Sequence, residues 1–384
     1  MNSHLALGPS DNRALRGKAR AAADEALRLS PSLGEADTAL ALSLYWGDKD
    51  YTAAGKQFST AVTISPNEPD ILHYMAGIYR RLGRWPESLA SDQRAQELDP
   101  RNLKVITGGA INHLLVRDWA AATASYNRTL EIAPDSAEAK IGLAYLELFR
   151  NGSPAAGRKI LQDISAGIDP DGSVTSARWD LAIVERDFAA AEKIVSDFPL
   201  EDFPRAGDAP KVFFLGRTAL ARGNTASAQR YFAAAAPDIE GWVGEEPDDA
   251  HRHAQLALLY AYMQRKEDAF REGRRAVELE PESQNAFHGA NMAASLALIH
   301  ALLGERAEAI TLVERLLSTP GPVGWPDFPQ NMTLAELRLR WEWDALRSDL
   351  RCQKILAGPE PLTVLTTIER KAPAVPKNES QETD

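Results

Sequence analysis

Apolar and polar residues follow a recurring pattern in segments of helix length along this chain. Four of these segments end at evenly spaced prolines. The four segments close with the sequences LRLSP, VTISP, QELDP and LEIAP, at Pro31, Pro66, Pro100 and Pro134. The intervals are 35, 34 and 34 residues. Because proline donates no backbone hydrogen bond and disfavours helix at the preceding residue, each proline marks the end of a helix. The chain is therefore predicted to repeat one structural unit about every 34 residues.

Aromatic and small residues recur at fixed places inside these units. Tyr51, Trp85 and Trp119 each stand fifteen residues before a closing proline, directly after a charged turn. Small residues recur at two further places, with Ala54, Ser88 and Ala122 at one and Ala41, Ala76, Ala110 and Ala144 at the other. Small residues let two helices approach closely, and the aromatic rings fill the gaps. Each unit is therefore predicted to be a hairpin of two antiparallel helices, stable only when stacked on its neighbours.

This pattern resembles the tetratricopeptide repeat, a helix-turn-helix unit with small residues at fixed positions, aromatic residues between them and a late proline. The resemblance covers residues 15–318, which we interpret as half a repeat followed by about eight hairpins. It implies an all-α fold, a right-handed α-solenoid of stacked helix-turn-helix hairpins. In this family the first helix of each hairpin lines a concave face, which commonly receives an extended peptide or a helix of a partner protein.

The N-terminal end departs from the pattern. Residues 1–14 are predicted to be flexible, since Gly8, Pro9 and the polar residues after them would break a helix. The next segment, RALRGKARAAADEALRLSP, is interpreted as the second helix of a repeat that lacks its first helix. Such an end leaves an apolar face uncovered, whereas solenoid ends normally carry a polar cap. Self-association through this repeat is one expectation, and a missing part of a longer chain is the other.

Two longer connections interrupt the later repeats. Residues 196–211 and 236–252 are rich in proline, glycine and acidic residues, and both are predicted to be loops between repeats. Neither has the composition of a domain boundary. An enzyme with a site built from loops 197–212 and 237–253 is the weakest functional alternative, because perturbed acids in a cleft are invisible in a sequence.

The C-terminal end carries a second resemblance. Residues 319–356 are predicted to form closing helices, and LRLRWEWDALRSDLRCQKIL looks like the short helices that follow the repeats in large bacterial proteins with a eukaryotic-type serine/threonine kinase domain. The positions that match that pattern are Leu339, Trp343, Asp344, Leu346, Arg347, Asp349 and Arg351. The chain departs from it where proline is expected, at Trp341, Ala345 and Leu350, and where an aromatic is expected, at Cys352. The polar, proline-containing residues 357–384 are predicted to be disordered.

Charge and composition restrict the partners. The net charge is -11 and the pI near 5.3, and no stripe of lysine and arginine is present to neutralise phosphates, which argues against nucleic acid. The stretch MNSHLALGPSDNRALRGKAR has no apolar core of signal-peptide length, and no run of 18 apolar residues occurs. With a single cysteine, the chain cannot form an internal disulfide. These features predict a cytoplasmic protein that binds neither nucleic acid nor membrane, and the kinase-linked resemblance implies a bacterial one.

No catalytic constellation stands out. Kinase motifs, phosphate-binding loops and HExxH are absent from the sequence. His251 and His253 are two residues apart, so on a helix they point to different faces and form an incidental pair, with Asp249 beside them as a helix cap. His113 and His300 occupy a repeat position where tyrosines also occur, which indicates packing, and Cys352 is interpreted as a small apolar residue. We therefore expect no catalytic residue, cofactor or metal site.

The candidate contact residues are those placed outward on the predicted first helices. They are His73, Tyr74, Arg80, Arg81, Lys104, Arg217, Gln255 and Asn291. A carboxylate clamp of the kind some tetratricopeptide proteins use is not supported, since only Lys104 matches its positions. The sequence thus predicts a non-enzymatic protein-interaction scaffold that binds a peptide or partner protein in its groove. The alternative is the C-terminal regulatory part of a bacterial serine/threonine kinase or similar signalling protein.

Overall fold

The computed structural model describes most of the chain, namely residues 9–30, 33–164, 169, 171–203, 209–323, 329–361 and 363, with the side chains of residues 9–16 left aside. The fold is an all-α, right-handed solenoid of stacked hairpins, as the sequence predicts. Within the described residues, β-structure is confined to one antiparallel pair of two-residue strands, β1 (Asp202–Phe203) and β2 (Ala209–Pro210).

A first helix, α1 (Pro9–Leu29), precedes eight helical hairpins. The hairpins are α2 (Gly34–Ser43) with α3 (Tyr51–Ile64), α4 (Pro69–Arg81) with α5 (Trp85–Leu98), α6 (Leu103–Leu115) with α7 (Trp119–Ile132), α8 (Ala137–Asn151) with α9 (Pro154–Gln162), α10 (Ser173–Val184) with α11 (Phe188–Asp197), α12 (Lys211–Ala221) with α13 (Thr225–Glu245), α14 (Ala250–Tyr262) with α15 (Lys266–Leu279), and α16 (His288–Leu302) with α17 (Arg306–Leu317). A π-helical turn (Leu44–Asp48) extends α2.

All eight hairpins turn in the same way. The residue two positions before each second helix has a left-handed backbone, with φ between 53° and 83°, at Lys49, Gly83, Arg117, Gly152, Arg186, Gly223, Gln264 and Gly304. In five hairpins the next residue caps the second helix with a side-chain oxygen, at Asp50, Asp118, Ser153, Asp187 and Asn224. The charged turns read from the sequence are therefore local turn and cap signals.

The repeated small residues lie where helices touch. Ala76 and Ser88 are fully buried, and the Ser88 hydroxyl donates to the Ala76 carbonyl oxygen at 2.7 Å, across the hairpin α4–α5. In the fourth hairpin the close contact moves by one residue. Gly157 is the buried position, and a Cβ there would lie 2.5 Å from the Ala144 carbonyl oxygen, whereas Ala156 is only half-buried. The Gly152 turn thus shifts the 34-residue register by one.

The helix α1 begins earlier than the sequence suggests. It starts at Pro9, although proline and the polar residues after it were expected to prevent helix there. Proline is tolerated in the first turn because that N–H has no helical partner in any case. Ala23 is buried against the first hairpin, while Leu29 is 69% exposed. The predicted flexible residues 1–8 lie outside the described part of the chain.

The second of the two long connections is not a loop. The helix α13 continues through Pro237 to Glu245 and buries Ile239, so the expected loop over residues 236–252 is wrong for its first ten residues. The apolar residues at Ala235, Ala236 and Ile239 keep the helical period across the proline and hold the helix against the core. The first connection contains β1 and β2, which form a small hairpin against Phe198 and Phe214.

The chain ends in three short helical elements, α18 (Leu334–Leu339), a 3-10 helix (Trp341–Leu346) and α19 (Leu350–Ala357). We call residues 329–361 the closing segment. It packs against α8, α10, α12, α16 and α17. Apart from Thr363, residues beyond Pro361 lie outside the described part of the chain, so the disorder expected for the tail stays a prediction.

Candidate functional site

The concave surface is built from the first helices of the hairpins. First helices of neighbouring hairpins contact each other directly at α4–α6, α8–α10 and α14–α16, so together they contribute an inner layer. The sequence predicts that this layer lines a groove for a partner. In the structure the closing segment and the linker between α15 and α16 contact parts of this layer.

The closing segment is fixed to the inner layer by a buried ion cluster. Both terminal nitrogens of Arg340 donate to the Asp180 carboxylate of α10, each at 2.7 Å, and the same guanidinium binds Glu336. Tyr145 on α8 donates its hydroxyl to Asp180 at 2.6 Å. All three charged side chains are fully buried. Trp343, also buried, joins the main apolar core.

A second stretch of the chain covers the N-terminal part of the inner layer. The linker between α15 and α16 reaches the second hairpin, where the Ala286 backbone N–H donates to the Arg81 carbonyl oxygen at 2.7 Å. Phe287 is buried with Trp85 and Leu115. Further along, Arg117 donates to the Met332 carbonyl oxygen at 2.8 Å. The two ends of the solenoid therefore touch across its interior.

These contacts change the interpretation of two candidate residues. Arg81 and Arg217 were placed outward, but they are 5% and 2% exposed, and the outward placement is wrong. The Arg81 guanidinium stacks on the Tyr45 ring at 4.5 Å, and Arg217 stacks on Trp179 and pairs with Glu342 at 3.3 Å. Sequence reasoning missed that both arginines are buried within the chain's own contacts.

The remaining candidates divide into two groups. His73, Tyr74, Lys104 and Arg80 lie near the N-terminal end, where Lys104 pairs with Asp70 at 2.9 Å and His73 contacts Asp92 at 3.1 Å. Arg80 is bonded to Asn112 at 2.8 Å and lies over Phe287, so it supports the linker contact. Gln255 lines an internal cavity, and Asn291 is buried at the start of α16.

This inner cavity has a volume of about 340 Å³ and lies between α12, α14, α16 and the start of the closing segment. Its wall is mostly apolar, formed by Phe213, Phe214, Leu258, Tyr262 and Met292. Polar side chains converge on it as well: Arg217, Gln255, Ser295 and Gln330 lie in the wall, and Glu246, Asp249, His251 and Arg252 are half-exposed at the rim.

One group of side chains beside this rim could hold a metal ion. His251, Glu280 and His288 each offer a ligand atom within 4.8 Å of the other two. Burial lowers the pKa of His288 to about 4 and lowers the pKa of His251 as well. Burial alone would raise the pKa of Glu280, but the hydrogen bond with His288 and the nearby His251 bring it down to about 2. Near neutral pH the group is two neutral imidazoles and one carboxylate.

The sequence misjudged this group. His251 and His253 were taken as an incidental surface pair, but only His253 is separate: it is buried and bonded to Glu272 at 2.7 Å and to the Pro247 carbonyl oxygen at 2.9 Å. His251 faces Glu280 and His288, which come from the turn ELEPESQNAFH. An acid and a histidine on either side of a proline-initiated turn were the available signal. Asp249 caps α14, as predicted.

The other singled-out residues pack in the core or near it. His113 is half-buried beside Asp118, at 3.5 Å, and His300 packs against Phe270 with 4.8 Å between ring centres. Cys352 is buried, and burial raises the pKa of its thiol. Within the described residues, no helix is both long and apolar enough to cross a bilayer.

No family model matches the chain, and no curated protein matches it. Solved structures similar to it include yeast Tom70, with a TM-score of 0.54 and 14% identity over 81% of this chain and 63% of that one. A tetratricopeptide repeat protein from Parabacteroides merdae has a TM-score of 0.48 and 19% identity, over 58% of this chain and 87% of that one. The pilF protein of Pseudomonas aeruginosa has a TM-score of 0.43 and 16% identity, over 57% of this chain and 91% of that one. The likeness shows the fold, a tetratricopeptide-repeat solenoid.

Proposed function

We propose that this protein is a non-enzymatic interaction scaffold that binds a protein partner through the inner cavity. The observation that carries the proposal is the cavity itself, an apolar recess with Gln255 in its wall and charged groups at its mouth. Binding pockets combine an apolar lining with a few polar groups that fix orientation. The volume of about 340 Å³ is near the lower limit of about 300 Å³ for small-molecule sites, which suits one or two side chains of a peptide.

The rim indicates what kind of segment enters. Arg252 lies over the Trp242 ring at 5.0 Å and forms an ion pair with Glu246 at 3.8 Å. A peptide that places an aromatic or aliphatic side chain in the recess would leave its backbone beside these half-exposed polar groups, which can bond to it. We therefore propose an extended segment with a large apolar anchor as the ligand.

The proposal is tested with a variant that fills the recess. Gln255→Trp adds a bulky ring in the cavity wall. Gln93→Trp adds the same ring at an exposed position of α5 and is the matched control. Peptides selected on the purified full chain from a random library are synthesised and titrated by fluorescence anisotropy. We expect saturable binding that Gln255→Trp weakens at least about tenfold, a cost of about 1.4 kcal/mol. Equal affinity for both variants, or no saturable peptide, contradicts the proposal.

A second candidate is regulation of a bacterial serine/threonine kinase, in the cytoplasm. What supports it is that residues carrying the kinase-linked resemblance belong to the folded array: Trp343 is buried, and Asp344 binds Arg186 at 2.7 Å. The DNA upstream of the coding sequence tests this candidate, since an adjacent kinase reading frame supports it and unrelated sequence counts against it.

A further inference from the structure

The group His251, Glu280 and His288 is assembled from three separate places in the chain. His251 lies in the first turn of α14, Glu280 directly follows α15, and His288 is the first residue of α16. The His288 Nδ1 atom is 3.2 Å from Glu280 Oε1, and the His251 Nδ1 atom is 3.8 Å from Glu280 Oε2. The two imidazole rings meet edge to face, with 4.8 Å between their centres.

Glu280 leaves one oxygen without a hydrogen bond. The residue is 7% exposed, and Oε2 is a buried atom for which no hydrogen-bond partner is present. A buried carboxylate oxygen in that state costs free energy unless something positive approaches it. Two cations lie near. Lys49 pairs with Asp249 at 3.8 Å, and Arg81 stacks on two tyrosine rings, so neither is bonded to this oxygen.

The opposite oxygen is held firmly. The buried Asn285 amide donates to Glu280 Oε1 at 2.7 Å, and its own oxygen accepts from the backbone N–H groups of Phe287 and His288. One side chain therefore orients both the carboxylate and the start of the helix that carries His288. This is the arrangement by which residues outside a metal's ligand set fix its ligands.

We propose that His251, Glu280 and His288 bind a divalent transition-metal ion, with Zn²⁺ as the best match. Two imidazoles and one carboxylate are ligands that Zn²⁺ accepts, with a fourth position left for water or for Asp249, whose Oδ1 is 3.9 Å from His251 Nδ1. Bonds of about 2.0–2.1 Å in a tetrahedron set ligand atoms roughly 3.3 Å apart. The histidine nitrogens lie 3.2 Å from Oε1 and 3.8 Å from Oε2 of Glu280, and all three ligand atoms lie within 4.8 Å of one another, so binding draws the ligands closer together.

The site lies where the solenoid closes on itself. Asn285 also donates to the Tyr51 hydroxyl at 3.3 Å, and the next residue, Ala286, binds the backbone of the second hairpin. An ion that joins α14, the end of α15 and α16 fixes the linker that makes these contacts. Metal binding is thus expected to stabilise the contact between the two ends of the molecule.

The test is calorimetric titration of ZnCl2 into the metal-stripped full chain near neutral pH. We expect one saturable site, which Glu280→Gln and His251→Gln each weaken roughly 100-fold, at or beyond the 10–100-fold typical of outer-shell partners. His300→Gln is the matched control, because it removes a half-buried histidine that packs on Phe270 instead, and it should bind as the wild type does.

Two further measurements keep the result interpretable. Circular dichroism of each metal-free variant checks that it folds, and His251→Gln, at a half-exposed position, supplies the comparison if Glu280→Gln does not fold. Co²⁺ replaces Zn²⁺ as a spectroscopic probe, and the wild type should show visible absorption that the ligand variants lack. Absence of saturable Zn²⁺ binding, or full affinity retained by His251→Gln, would overturn the proposal.

Discussion

Two buried carboxylate groups hold distant parts of this chain together, and they are neutralised differently. In the first, Asp180 and Glu336 surround Arg340, and all four carboxylate oxygens have a bonding partner. In the second, Glu280 faces two histidines and keeps one oxygen unpartnered. The first group contains its own permanent cation. The second has space for a cation that can leave.

The comparison extends to the balance of charge. Around Arg340, three buried carboxylates, those of Asp180, Glu336 and Glu342, face two guanidinium groups, those of Arg340 and Arg217. Arginine lowers the pKa of Asp180 against the effect of burial, while burial raises the pKa of Glu336 to about 7. Glu336 therefore binds a proton more readily than a free glutamate does, and this proton offsets the excess negative charge.

Removing the internal cation should have the largest effect. Arg340→Met leaves Asp180 buried beside a second carboxyl without a counter-charge, and breaking a buried pair in this way costs about 3–5 kcal/mol. Urea denaturation followed by circular dichroism measures the loss. The matched control is Arg338→Met, two residues earlier and exposed. A loss no larger than that of the control would contradict the role assigned to Arg340.

Disturbing the second group should cost less, because only neutral hydrogen-bonding groups are removed. Asn285→Ala deletes the bond to Glu280 and leaves the backbone N–H groups of Phe287 and His288 without their acceptor, a loss of about 1–3 kcal/mol. The exposed Asn67, whose side chain bonds to Arg94, supplies Asn67→Ala as a control with almost no expected effect. Thermal unfolding compares them. A loss equal to that of Arg340→Met would reverse the ordering of the two groups.

The smallest effect concerns the proton on Glu336. Because its pKa in the folded protein is raised from 4.5 to about 7, the folded chain holds a proton that the unfolded chain releases between those values. The stability this proton contributes is present at low pH and declines as pH rises through that window. Glu336→Gln should therefore gain about 1 kcal/mol relative to the wild type between about pH 6 and about pH 7.

Urea midpoints at both pH values provide the measurement. The exposed carboxylate of Glu314 pairs with Arg351, so Glu314→Gln serves as the control and should show no relative gain. If Glu336→Gln instead shows no gain relative to the wild type as pH rises, the carboxyl is ionised throughout the window. The predicted difference between the pKa values of Asp180 and Glu336 would then be wrong.

The repeats could be predicted because their signals are local. Trp85, Ser88 and Pro100 recur within one unit, and the turn before each second helix is fixed by a few neighbouring residues. The inner contacts could not be predicted in this way. Asp180 and Arg340 are 160 residues apart, and the sequence around either residue does not indicate that it contacts the other. The same holds for Glu280 and His251. The sequence placed Gln255 at the inner surface but gave no sign that a cavity remains there.

Contact between the two ends changes how this solenoid folds. Ordinary repeat arrays are nearly one-dimensional, since each unit touches only its neighbours and folding can spread along the array from any point. Here hydrogen bonds join residues 160, 215 and 234 positions apart, at Asp180–Arg340, Arg117–Met332 and Tyr51–Asn285. Closing such long loops is slow, and it is rewarded only when both partners are in place. The array therefore loses the independence of its units and acquires the cooperativity of a globular domain.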